Sequence, residues 1–195
     1  MNRATRPAST LRGMLLLARW RRAGMDEFVG TPQALLNSLA PLLAMPLVGF
    51  LLLALRGKLF DAVSNLLLAV VVLLAPLVGS HLVAKWWRRD AKWLRFAVAL
   101  NWCQWVITAV AMTLMVLAGV AVQAGVSQDV TVGFLALGCL GYAVSVQVVA
   151  ASAGLALSAG RALGFVLLFN LGAAILVLLP SFVRLLAEAT PAVQP

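Results

Sequence analysis

Few side chains in this sequence have the chemistry for catalysis. The one histidine, His81, closes the string Pro76-Leu-Val-Gly-Ser-His81 beside a basic stretch, and the two cysteines, Cys103 and Cys139, sit in apolar surroundings. An imidazole can move protons near neutral pH, but a solitary histidine without a thiol or carboxylate neighbour reads as an interfacial hydrogen-bonding residue. Asp61 and Asp129 fall at the ends of apolar runs, and Glu188 lies beyond the last of them. No paired carboxylates, HExxH string, Ser-His or Cys-His pairing, or phosphate-cradling glycine loop is present. The expectation is no enzyme, no metal, no cofactor and no disulfide, with both thiols acting as packing residues.

Amides are the richer class. Asn37, Asn101, Gln104, Gln147 and Asn170 all interrupt apolar sequence, and a carboxamide both donates and accepts hydrogen bonds without carrying charge. Such groups recognise neutral polar ligands or bind neighbouring helices to each other.

The elements that hold these residues are membrane spans. Of 195 residues, 63% are hydrophobic and 11% charged, against about 25% charged in soluble domains. Apolar runs reach the roughly 20 residues needed to cross a bilayer. Five spans are expected near 34–55, 61–84, 97–123, 130–154 and 162–186, giving an all-α polytopic bundle over 31–187. Residues 1–30 form a basic cytoplasmic segment and 188–195 a short external tail. Met14 to Ala18 is too short for a signal-peptide core, so the N-terminus is expected to be retained.

In the basic segment, Leu11, Met14, Leu15, Ala18 and Trp20 share a helical face, as expected of a short amphipathic helix lying on the membrane surface. A tail held only by lipid electrostatics is the alternative. Thr31-Pro32 supplies an N-cap and a first-turn proline for the first span, and Asp61 is a plausible cap for the second. Lys85 to Arg95 mixes five cations with Trp86, Trp87 and Trp93, a composition suited to the headgroup region. Span four is rich in small residues, and Gly160 with Gly164 forms a small-xxx-small pair opening span five, which points to close helix contact.

The net charge of +9 reflects basic residues flanking apolar runs, so nucleic acid is not an expected partner. With the N-terminus inside, twelve Lys and Arg fall on inner segments and three, Arg56, Lys58 and Arg184, on outer ones. That asymmetry puts the N-terminus in the cytoplasm and, with five spans, the C-terminus outside. A multi-pass protein of a bacterial inner membrane, touching anionic headgroups through its basic inner segments, is the expectation. Another membrane protein or a second copy is a further candidate partner.

At about 1.5 Å per residue, Asn37, Asn101, Gln104, Gln147 and Asn170 all fall in the inner half of their spans. Ser80 and His81 add the second span at the same edge. Two readings stay open for this layer: interhelical hydrogen bonding, or a cavity open to the cytoplasm that receives a polar ligand. Pro41, Pro46 and Pro76 free backbone carbonyls within spans one and two, as transporters do where they bind solutes.

The strings Thr31-Pro-Gln-Ala-Leu35, Ala91-Lys-Trp-Leu-Arg-Phe96 and Leu157-Ser-Ala-Gly-Arg-Ala-Leu163, with the five-span layout, resemble the Yip (Ypt-interacting protein) family in its bacterial form. The resemblance implies a non-catalytic adaptor or membrane-organising protein that works through helix packing, lipids or membrane partners. The short basic N-terminal segment departs from the longer acidic or polar one of eukaryotic members, which speaks against a GTPase-binding role. A small transporter or lipid-headgroup binder built on the amide layer is the competing expectation.

Overall fold

The computed structural model describes residues 9–189, with side-chain surroundings given through Leu179 and at Phe182. Arg3 and Arg6 of the basic segment, residues 190–195 of the expected tail, and the side chains of Pro180, Arg184 and Glu188 lie outside what is described.

The described chain is helical: α1 (Thr10–Ala18), a 3-10 segment (Arg22–Glu27), α2 (Pro32–Leu55), α3 (Leu59–Trp86), α4 (Asp90–Gln123), α5 (Gln128–Gly154) and α6 (Ala159–Ala189). Helices α2 to α6 are each long and apolar enough to cross a membrane. Turns of three or four residues join them, so successive helices run antiparallel. Three of these turns and the end of α1 close by paired hydrogen bonds around a left-handed residue, as at Arg88, where Arg88 N donates to Lys85 O and Arg89 N to Ala84 O. At Ala156, also left-handed, the outer bond of the pair runs from Leu157 N to Ser152 O.

The ends of the spans lie close to their expected positions, with one exception. Helix α4 begins at Asp90 rather than near 97, so the Trp-rich basic belt is partly folded into its first two turns. Asp90 in the first turn complements the helix dipole. At 34 residues, α4 is about 51 Å long, well beyond a bilayer core of about 30 Å. Thr31 Oγ1 accepts from Ala34 N at 3.2 Å with Pro32 following, the expected start of span one. Asp61 does not cap α3; Lys58 holds the cap position without a side-chain bond, and Asp61 sits in the first turn.

Helix α2 packs on α3, α3 on α6, α6 on α5, α5 on α4 and α4 on α2, with α3 also reaching α4. The five spans therefore close a ring. One end, where α2, α4 and α6 begin, carries Lys85, Arg88, Arg89, Lys92, Arg95 and Arg161 and is called the basic end. The far end carries Arg56 and Lys58.

The N-terminal segment packs against α4 and α5 at the basic end, so it is not a detached tail. Leu17, Met25 and Phe28 are buried there, Trp20 Nε1 donates to Ser145 Oγ at 2.8 Å, and Tyr142 OH donates to the Ala18 carbonyl at 3.2 Å. Arg12 pairs with Glu27 at 3.5 Å. The docked side of α1 is Gly13 and Leu17, whereas Leu11 and Leu15 of the expected apolar face point outward. The short helix thus has one side against the spans and a second apolar side left open.

Candidate functional site

The spans line an open-sided cavity of about 490 Å³. Its apolar wall comes from Leu42 and Pro46 of α2, Ala69, Val72, Leu73, Pro76 and Leu77 of α3, Leu100 of α4, and Phe165, Val166 and Ala173 of α6. Its polar lining is Ser80, Asn101, Gln104, Thr108, Gln147 and Asn170, contributed by four helices. None of the residues lining it is ionisable.

Each polar group is held by local geometry. Asn101, Gln104 and Thr108 recur at helical spacing on one face of α4. Asn101 Nδ2 donates to Ser38 Oγ at 2.9 Å, and that hydroxyl donates to the Leu35 carbonyl at 2.7 Å, so α4 and α2 are tied through a buried serine. Asn170 Nδ2 donates to Gln147 Oε1 at 2.6 Å and to the Val166 carbonyl at 2.8 Å. This fixes α6 against α5 and leaves Asn170 Oδ1 and the Gln147 amino group without a hydrogen bond among the described residues. Thr108 Oγ1 donates to the Gln104 carbonyl, while the Gln104 carboxamide makes no side-chain hydrogen bond among the described residues. Polar groups in an apolar site carry a large penalty when left without partners. Gln104 and the free halves of Gln147 and Asn170 are therefore suited to meet a ligand.

The prolines add acceptors. Helices α2 and α3 run through Pro46 and Pro76 without ending. A proline has no N–H for the carbonyl four residues earlier, so Leu42 and Val72 lose that donor, and both residues line the cavity.

An aromatic layer stands at the basic side of the cavity. Phe165 packs with Phe96 at 5.8 Å, with Phe169 at 4.7 Å and with Trp87 at 5.9 Å between ring centroids. Phe169 lies over Gly79, where an added Cβ would stand 2.6 Å from Phe169 Cε1. The missing side chain is what lets α3 and α6 approach.

Of the amide-layer candidates, Asn101, Gln104, Gln147 and Asn170 converge on this cavity, with Ser80. Asn37 does not: it is exposed and accepts from Gln33 on its own helix at 3.1 Å. The inward residue is Ser38, one position on, which sequence reading missed because neighbouring small polar residues give no sign of which one faces inward. His81 lies outside the cavity lining, its ring 4.5 Å from that of Trp93 and its Nδ1 buried without a partner.

The tryptophan belt divides. Trp86 is exposed, but Trp87 turns onto Phe165 and Trp93 onto His81, with Trp93 Nε1 donating to Ser80 Oγ at 3.0 Å. Trp87 and Trp93 thus make contacts within the bundle, Trp93 because α4 starts early enough to bring it alongside α3. Gly160 and Gly164 are exposed, with nothing within 4 Å of an added Cβ, so among the described residues they pack against no other helix. Among the glycines of the spans, the close approaches fall at Gly79 and at Gly154, where an added Cβ would lie 3.0 Å from Phe96 Cβ. Cys103 is buried in the core and Cys139 is partly buried, both as free thiols. Among the described residues, no group of three or more His, Cys, Asp or Glu is placed to hold a metal ion.

The chain is a multi-pass α-helical membrane protein by its five spans, and no family model, curated protein or solved structure matches it.

Proposed function

We propose that this protein is a non-enzymatic membrane protein whose working part is the amide-lined cavity, which holds the neutral polar region of a lipid or similar amphiphile. The reading rests on the convergence of Asn101, Gln104, Gln147 and Asn170 on one cavity of about 490 Å³. That volume falls within the roughly 300–1,000 Å³ of small-molecule sites. A charged ligand is disfavoured, because the lining offers no counter-charge in a medium where bare charge is costly. Carboxamides, released carbonyls and an apolar wall instead match hydroxyl or ester groups joined to hydrocarbon. We read the basic end as cytoplasmic and the membrane as a bacterial inner membrane from the cation asymmetry.

The test is native mass spectrometry of the full chain extracted in mild detergent. The wild type is expected to carry a bound amphiphile, with occupancy about tenfold lower in a Gln104→Leu, Asn170→Leu double variant, since each intramembrane hydrogen bond contributes about 0.6 kcal/mol. A wild type free of ligand, or a folded double variant that keeps its ligand, would sink the reading.

A second reading, the adaptor or membrane-organising role that the Yip resemblance implies, is favoured by one observation: Gly160 and Gly164 leave an open small-residue face. Co-purification of a stoichiometric membrane partner that is lost on Gly160→Leu supports this role.

A further inference from the structure

A second hollow, of about 420 Å³, lies at the basic end where the α3–α4 and α5–α6 turns meet, lined by Trp87, Arg89, Ala156, Leu157, Ser158 and Arg161. It brings two guanidinium groups, distant in sequence, to one concave surface. Arg89 is partly buried, and its backbone is pinned by the 2.7 Å bond from its N–H to the Ala84 carbonyl. Among the described residues the one ion pair is Arg12 with Glu27, so neither lining arginine is neutralised by a carboxylate. Asp90, next to Arg89 in the chain, is exposed and pairs with neither. Lys85, Arg88, Lys92 and Arg95 are exposed on the same end and deepen the positive potential there.

The remaining donors point to the same ligand chemistry. Ser158 contributes a hydroxyl, and its carbonyl accepts from Ala162 N as α6 begins. The N–H groups of Ala159, Gly160 and Arg161 in that first turn have no partner within the helix. Guanidinium forks, a hydroxyl and free N–H groups are all suited to an anion with several acceptor oxygens, and arginine pairs with phosphate through two parallel bonds.

We propose that this hollow binds a phosphate group, supplied by an anionic phospholipid headgroup or by a soluble phosphate. The site is distinct from the amide cavity: Trp87 forms its wall, and the Trp87–Phe165 contact at 5.9 Å stands between the two. It does not depend on what the cavity holds.

The experiment titrates the full chain, purified in a neutral detergent at constant ionic strength, with short-chain phosphatidic acid, diacylglycerol of the same chain length, and inorganic phosphate. Thermal unfolding is the readout, because a ligand of the folded state raises its midpoint. Phosphatidic acid is expected to give a saturable upward shift. Its affinity should fall about tenfold in Arg89→Gln and again in Arg161→Gln, as loss of one charge-assisted hydrogen bond implies. Arg89→Lys restores part of the loss, and Arg56→Gln at the far end leaves binding unchanged. If Arg89→Gln does not fold, the exposed Arg161 carries the test alone. Saturable competition by inorganic phosphate supports the site with a soluble source, and binding of the lipid alone supports it with a membrane source. A phosphatidic acid response that matches the diacylglycerol response and is untouched by the arginine changes overturns the proposal.

Discussion

The two ends of the bundle are built differently from similar residues. At the basic end Phe96, Phe165, Leu155 and Val146 are 0–5% exposed. Toward the far end Met115, Phe134 and Leu137 are 65–74% exposed. Apart from Ala62 and Thr131, the buried residues of the described spans belong to the basic half. Phe134 and Phe165 have the same side chain, so hydrophobicity does not separate them. In a bilayer an apolar side chain is at no disadvantage facing lipid, so packing and hydrogen bonding, rather than removal from water, decide which surfaces close on one another. The basic end has both: interlocking aromatic rings, and amide and hydroxyl bonds that join α2 to α4 and α5 to α6. The hollow lined by Arg89 and Arg161 lies there, and the amide-lined cavity reaches from there to the middle of the bundle.

The turns repeat the contrast. The far-end turns place glycine at the left-handed position, Gly57 at φ 75° and Gly125 at φ 95°. The basic-end turns place Arg88 at φ 55° and Ala156 at φ 51° there, although a side chain in that region costs roughly 1–2 kcal/mol. Ala156 lines the hollow at the basic end and Arg88 stands next in the chain to two of its lining residues, Trp87 and Arg89.

The largest expected effect comes from truncating the same side chain at both ends. Phe165→Ala should cost about 3–5 kcal/mol of unfolding free energy in detergent, while Phe134→Ala should cost less than about 0.5 kcal/mol. Equal losses would mean that the far end is packed as tightly as the basic end. A smaller effect is expected from filling glycines. Gly154→Leu forces Phe96 and Met25 apart and should destabilise by about 1–3 kcal/mol, whereas Gly133→Leu, with open space around it, should leave the thermal midpoint unchanged in a monomeric sample. A loss at Gly133 that appears only above a threshold protein concentration would instead reveal a second chain at that face. The smallest effect is at the turns: Ala156→Gly should stabilise by about 1 kcal/mol and Gly125→Ala destabilise by a similar amount, both read from equilibrium unfolding. A loss of stability in Ala156→Gly would show that the left-handed alanine carries no strain.

Much of this layout can be read from the sequence alone. Apolar run length and intervening charge determine five spans, and Thr31-Pro32 marks where α2 starts because hydroxyl capping and a first-turn proline are local chemistry. The clustering of Asn101, Gln104, Gln147 and Asn170 near one end is also legible, since depth along a helix is only residue count multiplied by rise. Rotation about the helix axis is not legible. Lipid and protein both accept apolar faces, so hydrophobic periodicity, which orients a helix in a soluble domain, carries little information here. Only the tertiary structure decided that Ser38 rather than Asn37 faces inward, that Trp93 donates to Ser80, and that among the spans Gly79 and Gly154 rather than Gly160 and Gly164 mark close approach. The meeting of Arg89 with Arg161 was likewise decided by packing, because turns so far apart in the chain become neighbours only once the ring of helices has closed.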